Sequence, residues 1–157
     1  MSHKHEFDCR LVWAGARKGP TLDYASYSRD LTVDIAGKSQ LRMSADQAFR
    51  GDASLWNPED MLVASLSSCH CLSYLALAVR ARIAVVAYED HAHGTMDLVD
   101  GVIRFTHVLL RPRVTLAPGS DRGRALALHE AAHHECFIAR SVNFPVDHEA
   151  EVLASSA

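Results

Sequence analysis

The sequence predicts an α+β fold, on the basis of three observations. Strand-like segments are grouped and separated by helices, whereas a doubly wound sheet would alternate strand and helix. Two segments carry helix signals, with apolar residues close to helical spacing. The chain has 157 residues, 48% of them apolar, which suits a single globular domain, residues 1–157, with a sizeable core.

The amino-terminal third is predicted to form two strands and a long loop. Asp8–Trp13 and Tyr27–Ile35 carry strand-like runs, joined by the turn-rich segment GARKGP. Residues 36–56 are rich in Gly, Ser and Asp and are predicted to be a loop. A loop of that length in a compact domain is usually functional or covered by a partner.

Asn57 begins the strongest helix signal. Asn is a favoured N-cap, Pro58 suits the first helical position, and Glu59 and Asp60 lie where the helix dipole favours negative charge. The helix continues to about Arg82 and is apolar over much of its circumference, so we expect a core helix buried on most sides. Its predicted inner stripe consists of Leu62, Leu66, Cys69, Leu72, Ala76 and Val79.

The remaining segments predict two strands, a second helix and a final strand. Val85–Met96 and Ile103–Leu116 are long strands joined by a turn at Asp100-Gly101, and Pro112 suits an edge or a bulge. A helix is predicted from Ser120 to about Ile138, and Asn143–Val152 is the last strand. The predicted inner side of this helix consists of Leu126, His129, Ala132, His133, Cys136 and Phe137.

Composition excludes several classes of function. The net charge of −3 argues against a nucleic-acid partner, because phosphate binding needs an excess of Lys and Arg. No stretch approaches the ~18 uninterrupted apolar residues of a membrane span, and the first residues lack the apolar core of a signal peptide. We therefore expect a cytoplasmic protein whose four cysteines are thiols.

Cys69 is the first candidate for chemistry, although a free Cys in an apolar helix is more often a packing residue. A reactive thiol needs a nearby positive charge, and the helix dipole cannot supply it about three turns past the N-cap. Arg is the natural cation, because it stays charged. Cys136 is either the second thiol of the same site or an unrelated core residue. Cys71 faces away from Cys69, because positions two apart on a helix diverge, so we interpret it as a packing residue. Cys9 is interpreted as a strand or terminal residue without a chemical role.

The segment His129-Glu130-Ala131-Ala132-His133 matches the H-E-x-x-H pattern of zinc hydrolases. Both histidines would share a helix face, and Glu130 could act as a general base. A catalytic zinc usually needs a third protein ligand, and no spacing selects one among His148, Glu149 and Glu151. The zinc hydrolase is therefore the weaker hypothesis.

The segment WNPEDMLVASLSSC, residues 56–69, resembles the signature of the OsmC/Ohr family of organic hydroperoxide reductases. That family has an Asn-Pro-Glu helix start and a reactive Cys ten residues after the Glu, as Glu59 and Cys69 stand here. AHHECFIARSVNFPV resembles the family's helix with a second redox Cys, here Cys136, followed by the last strand. AFRGD, VVAYEDHAHGTM and LRPRVTL are similar to one OsmC-like branch, so the resemblance covers nearly the whole chain.

The resemblance implies antiparallel sheets around two long central helices in an intertwined homodimer. It also implies a peroxidase without cofactor or metal, in which Cys69 attacks an organic hydroperoxide and Cys136 resolves the sulfenic acid as a disulfide. The reductant would be a dithiol, lipoyl-type in the best-known members. An alternative is a binding or stress-response module of the same fold with an inert Cys69.

The family's arginine, which Glu59 orients, has two candidates. Arg17 in GARKG resembles the Ohr branch, and Arg29 in YSRDL resembles the OsmC-like branch, which the surrounding motifs favour; either one, or Arg50, could be an ordinary surface cation. Glu59 and Cys69 are ten residues apart, which is about 15 Å along a helix. If both serve one site, a second chain must supply one of them, which predicts a two-fold dimer.

Overall fold

The structure, a computed structural model, describes residues 4–154, without the side chains of Arg17 and Lys18. Within these residues, three three-stranded sheets and two α-helices confirm the predicted α+β class. The chain divides between Met61 and Leu62 into an amino-terminal and a carboxy-terminal unit.

The amino-terminal unit contains one antiparallel sheet. Its strands are β1 (Arg10–Trp13), β2 (Leu31–Asp34) and β3 (Leu41–Met43), in that order. The prediction of a loop over residues 36–56 is wrong in part, since this stretch holds β3 and a short 3-10 helix, Gln47–Phe49. The short strand is hidden in the sequence because it has only three residues, with the charged Arg42 at its centre, and its pairing with β2 comes from elsewhere in the chain.

Gly51 lies close against the backbone of Ala45, so its replacement by a larger residue should lower the stability of the fold. A Cβ atom at Gly51 would lie 1.6 Å from the carbonyl oxygen of Ala45, which cannot move away as a flexible side chain could. We expect Gly51→Ala to lower the free energy of unfolding by about 2–4 kcal/mol, in the range of severe strain or overpacking. Urea unfolding measures this loss.

Gly123 is the matched control for this prediction. It lies in the second helix, where an added Cβ would meet no atom closer than 3.5 Å. Gly123→Ala should leave stability unchanged or raise it by up to about 1 kcal/mol, because Ala is the better helix former. Equal stabilities for the two variants would contradict the close backbone approach at Gly51.

The first helix, α1 (Pro58–Arg80), begins as predicted. The side-chain oxygen of Asn57 accepts a hydrogen bond from the backbone N–H of Asp60 at 2.7 Å. The expectation of burial on most sides is wrong for the single chain, because Leu72 is 68% and Val79 76% exposed. The fully buried residues recur every four positions instead: Leu66, His70, Tyr74 and Ala78. Apolar residues on all sides of a helix do not tell which side faces the core.

The carboxy-terminal unit contains two mixed sheets. One has the strand order β4 (Val85–Asp90), β7 (Pro112–Leu116), β9 (Glu151–Ala154), and the other β5 (His93–Val99), β6 (Val102–Leu110), β8 (Val146–His148). β8 and β9 pair in parallel with β6 and β7, whereas the other pairs are antiparallel. The resemblance-based expectation of antiparallel sheets therefore holds only in part.

Each of the three long strands predicted in this unit is two strands in different sheets. The chain crosses between the sheets at His91 and Ala92, at Arg111, and at Glu149 and Ala150. The crossings lie side by side, since the Arg111 N–H donates to the Asp90 carboxylate at 2.7 Å and the Glu149 N–H donates to the Leu110 carbonyl at 2.9 Å. The sequence pattern of a predicted strand does not show where the chain passes from one sheet to the other, because apolar and polar residues alternate on both sides of the crossing.

Pro112 is the buried first residue of β7, the central strand of its sheet, so the prediction of an edge or bulge is wrong. A strand's first position tolerates proline even in a central strand.

The second helix, α2 (Arg122–Glu135), is shorter than predicted. The Asp121 side chain caps it by accepting from the Arg124 N–H at 2.9 Å, and Cys136 is its C-cap. Leu126 and Phe137 are exposed, contrary to the predicted inner side. The buried residues are Ala125, His129 and Ala132.

Candidate functional site

Cys69 of α1 and Cys136 at the end of α2 lie together in the carboxy-terminal unit. Both are free thiols, Cys69 half-buried and Cys136 only 1% exposed. Burial, and next the neighbouring Cys69, raise the pKa of the Cys136 thiol to about 11. Cys69 is therefore a near neighbour of Cys136, and burial keeps the Cys136 thiol protonated at neutral pH. The two thiols thus differ in their exposure in the reduced protein.

The turn after α2 holds the Cys136 sulfur in place. The backbone N–H of Ala139 donates to this sulfur at 3.4 Å, and the Arg140 N–H donates to the Cys136 carbonyl at 3.1 Å. The Ser141 hydroxyl donates to the carbonyl of Phe137 at 2.7 Å, which closes the turn. Cys136 is therefore part of a compact hydrogen-bonded turn between α2 and the 3-10 helix Ala139–Ser141.

Cys71 lies in a different environment from Cys69. Burial and the nearby Asp90 carboxylate raise the pKa of the Cys71 thiol. Asp90 also accepts the hydroxyl of Ser67 at 2.5 Å. The divergence of Cys69 and Cys71 follows from helix geometry, since positions two apart face different ways. Cys9 is exposed just before β1.

Glu59 and Arg29 both lie in the amino-terminal unit. Glu59 occupies the first turn of α1, and its Oε2 is buried without a hydrogen-bond partner among the described residues. Apart from Arg17, whose side chain is not described, no arginine within residues 4–154 of the single chain forms an ion pair with Glu59. A buried carboxylate oxygen without a donor is costly, so the site of Glu59 is suited to receive a cation.

The Arg29 guanidinium is held between two aromatic rings. Its central carbon lies 3.9 Å from the ring centre of Tyr27 and 4.5 Å from that of Tyr24. Its nitrogens also donate to the backbone carbonyls of both tyrosines. Cation–π contacts of this kind fix the orientation of the charge. Arg17, the other candidate, lies in the 3-10 helix Gly15–Lys18, but its side chain falls outside what the structure describes.

Arg29 lines a cleft of about 730 Å³ within the amino-terminal unit. Arg42 on β3 and Arg50, in the left-handed conformation with φ of 65°, line the same cleft. Sequence reasoning named Arg50 only as a surface cation and missed Arg42. No local signal marks Arg42, because a charged residue in a short strand usually faces solvent.

The surroundings of the H-E-x-x-H motif, residues 129–133, differ from those of a metal site. His129 is buried in the core, where its Nδ1 lies 3.0 Å from Nε2 of His70 and its ring stacks on Tyr74 with centres 4.1 Å apart. Among the described residues, no group of three or more His, Cys, Asp or Glu is arranged to hold a metal ion. The geometry therefore gives the zinc hydrolase no support.

His129 belongs instead to a cluster of four imidazoles from α1, α2 and β8. Its members are His70, His129, His133 and His148, with ring centres of neighbours 5.4–6.0 Å apart. Burial, together with the neighbouring histidines, lowers the pKa of His70 to about 4 and that of His129 to about 3. Sequence reasoning did not single out His70, although it shares a four-residue spacing with Leu66, Tyr74 and Ala78.

Comparisons with known proteins agree with this fold. A family model described as OsmC-like protein matches residues 51–151. An OsmC-like protein of unknown function from Vibrio cholerae is 30% identical, with a TM-score of 0.86 over 94% of this chain and 99% of that one. The uncharacterized protein YmaD of Bacillus subtilis is 22% identical over 94% of this chain and 93% of its own length.

Two structures with functional names show the same fold at lower identity. The organic hydroperoxide resistance protein of Elizabethkingia anophelis is 16% identical, with a TM-score of 0.71 over 99% of this chain and 100% of that one. The organic hydroperoxide resistance protein OhrB of Bacillus subtilis is 20% identical, with a TM-score of 0.61 over 93% of this chain and 98% of that one.

Proposed function

This chain belongs to the family of OsmC-like proteins, and on that premise we propose that it reduces organic hydroperoxides to alcohols with the thiols of Cys69 and Cys136. The observation that carries the proposal is that Cys69, on α1, neighbours the buried Cys136, at the end of α2, closely enough to raise the pKa of its thiol. The names of relatives such as OhrB support the same chemistry.

The proposed reaction has three steps. The Cys69 thiolate attacks the terminal oxygen of the hydroperoxide, which becomes the hydroxyl of a sulfenic acid while an alkoxide leaves. Cys136 then attacks the Cys69 sulfur, forming a disulfide and releasing hydroxide. A dithiol, which we propose to be lipoyl-type, reduces the disulfide by thiol exchange. No cofactor is needed, because sulfur carries both electrons.

The site also needs a cation beside the Cys69 thiolate, and we propose that Glu59 orients it. Arg29 is our preferred residue and Arg17 the alternative, as the sequence motifs suggested. The buried, unpartnered oxygen of Glu59 supports this role, because a guanidinium would satisfy it.

We further propose that the working form is a homodimer. Glu59 and Cys69 are about 15 Å apart along α1, so one site can use both only if they come from two copies. The exposed Leu72 and Val79 on α1 support this arrangement, because a second chain would remove their apolar surface from water.

The proposal predicts one specific disulfide. One equivalent of cumene hydroperoxide, added to the reduced protein, should convert Cys69 and Cys136 to a disulfide in a single turnover. Peptide mass spectrometry after rapid thiol blocking would identify the bridge, and Cys71→Ser should form it equally fast. Slow or scattered oxidation with Cys69 unreacted would contradict the peroxidase and favour a binding module of the same fold.

A further inference from the structure

Three arginines line the cleft of the amino-terminal unit, and no ion pair within residues 4–154 neutralises any of them. They are Arg29, Arg42 and Arg50. The Arg29 guanidinium donates to backbone carbonyls, whereas those of Arg42 and Arg50 donate no hydrogen bond to a described residue. The N–H groups of Arg42 and Arg50 are therefore available to a ligand in a cleft of about 730 Å³.

Two of these positive charges share one aromatic ring. The central guanidinium carbon of Arg29 lies 4.5 Å from the ring centre of Tyr24, and that of Arg50 lies 5.9 Å from it. Two cations beside the same ring are close enough to repel each other. An anion bound in the cleft would be attracted by both charges and would offset their repulsion.

A buried hydroxyl group adds a further donor to the cleft. Ser44 lines the cleft and is only 1% exposed. Its Oγ accepts the backbone N–H of Asp52 at 3.1 Å, but its own proton has no acceptor among the described residues. A buried hydroxyl normally donates as well as accepts. A ligand oxygen in the cleft would supply the acceptor that this proton lacks.

The charge and the walls of the cleft indicate which kind of anion it suits. Asp30 and Asp52 also line the cleft, so three arginines stand against two carboxylates and leave a net charge of +1. A single positive charge favours a monoanion over a phosphate dianion. Part of the wall is apolar and is formed by Val12, Leu31, Met43 and Leu55. An apolar ligand body would be removed from water there.

We propose that this cleft binds a monocarboxylate with an apolar body. Arg42 and Arg50 donate N–H groups to the carboxylate, since a guanidinium matches a carboxylate in a bidentate manner. The Ser44 hydroxyl donates a further hydrogen bond, and Arg29 adds positive charge. The apolar body of the ligand lies against the apolar part of the wall. This binding site uses no thiol, so the inference goes beyond the proposed function and does not depend on it.

Calorimetric titration of the reduced protein with octanoate, without peroxide, tests this site. Octanoate should bind with a dissociation constant of about 1 mM or below. Octanamide, which has the same chain without the charge, should bind at least about 10-fold more weakly, because it lacks the ionic hydrogen bonds. Arg42→Gln and Arg50→Gln should each raise the dissociation constant of octanoate by about 10-fold or more.

Arg10→Gln is the matched control for these variants. Arg10 lies on β1 of the same unit but does not line the cleft, so its replacement should leave octanoate binding unchanged. Should Arg50→Gln not fold, because φ of residue 50 is 65°, Arg50→Asn replaces it, since Asn tolerates this conformation better.

Four results would overturn the inference, and each leaves the proposed function standing. Octanoate could fail to bind at millimolar concentration. Octanamide could bind as tightly as octanoate, which would mean that the cleft recognises only the apolar chain. Inorganic phosphate could displace octanoate at equal concentration, which would mean a site for inorganic anions. Finally, Arg42→Gln could have no more effect than Arg10→Gln, which would mean that octanoate binds elsewhere.

Discussion

Turnover of cumene hydroperoxide by Cys69→Ser is expected to fall at least about 1,000-fold below that of the unaltered protein, because the nucleophile of a covalent mechanism is lost. A serine hydroxyl is not ionised at neutral pH and is a poor nucleophile towards oxygen. Peroxide consumption with dithiothreitol as reductant measures the loss. Circular dichroism would show that the isosteric replacement leaves the fold intact.

Cys71→Ser is the matched control for this substitution. Cys71 lies on the same helix with similar burial, but its environment is Asp90 and not Cys136. Its turnover should stay within about threefold of the unaltered protein, as for a residue outside the reacting group. If Cys71→Ser abolished turnover and Cys69→Ser did not, the nucleophile would be Cys71 and the proposed pair would be wrong.

Acid should destabilise this protein strongly through its histidine cluster. The pKa values of His70 and His129 lie at about 4 and about 3 in the folded state, below the unfolded value of 6.5. Below pH 6.5 the unfolded chain therefore binds more protons than the folded one, so stability is complete above this pH and falls as the pH drops. Between pH 7.5 and pH 5 each histidine should cost about 2 kcal/mol, or about 4 kcal/mol together.

The groups that face the cluster from neighbouring elements do not cancel this effect. Glu130 on α2 and Asp147 on β8 favour the charged form of His148, yet burial still lowers the pKa of His148. The buried Nδ1 of His70 and Nε2 of His129 have no partner among the described residues. A proton added to either ring would therefore bring in a charge that the core does not neutralise.

Urea unfolding at several pH values tests this prediction. His129→Gln should roughly halve the slope of unfolding free energy against pH below 6.5, because Gln takes up no proton. His91→Gln, at an exposed position, should leave the slope unchanged. Equal stability at pH 7.5 and pH 5 in the unaltered protein would contradict a buried neutral cluster.

Much of the fold was predictable because its signals are local. The start of α1 follows from Asn57, Pro58 and Glu59, whose roles as cap and first-turn residues depend on nothing beyond the helix itself. The order of strands and helices follows from periodicity. The spacing of Glu59 and Cys69, with the later Cys136, was sufficient to suggest the family, and the comparisons confirm it.

The site was predictable only as a set of residues. That Cys136 is buried, with a thiol pKa raised to about 11, depends on how α2 ends, which residue spacing does not specify. The motif at His129 and His133 gave a misleading metal hypothesis, because a pattern on one helix does not show what packs against it. In the structure, His70 and Tyr74 of α1 occupy that place.

Capping, periodicity and motif spacing are properties of neighbouring residues, so the amino-acid sequence alone was sufficient for the fold class, the helices and the family. Burial, sheet membership and protonation depend on contacts between distant segments. The three crossings between the sheets, at His91, Arg111 and Glu149, separate strands that look continuous in the sequence. Four buried residues on α1 select one face of a helix that is apolar all round. Desolvation by packed neighbours, which no local pattern encodes, sets the pKa values of Cys136 and His129.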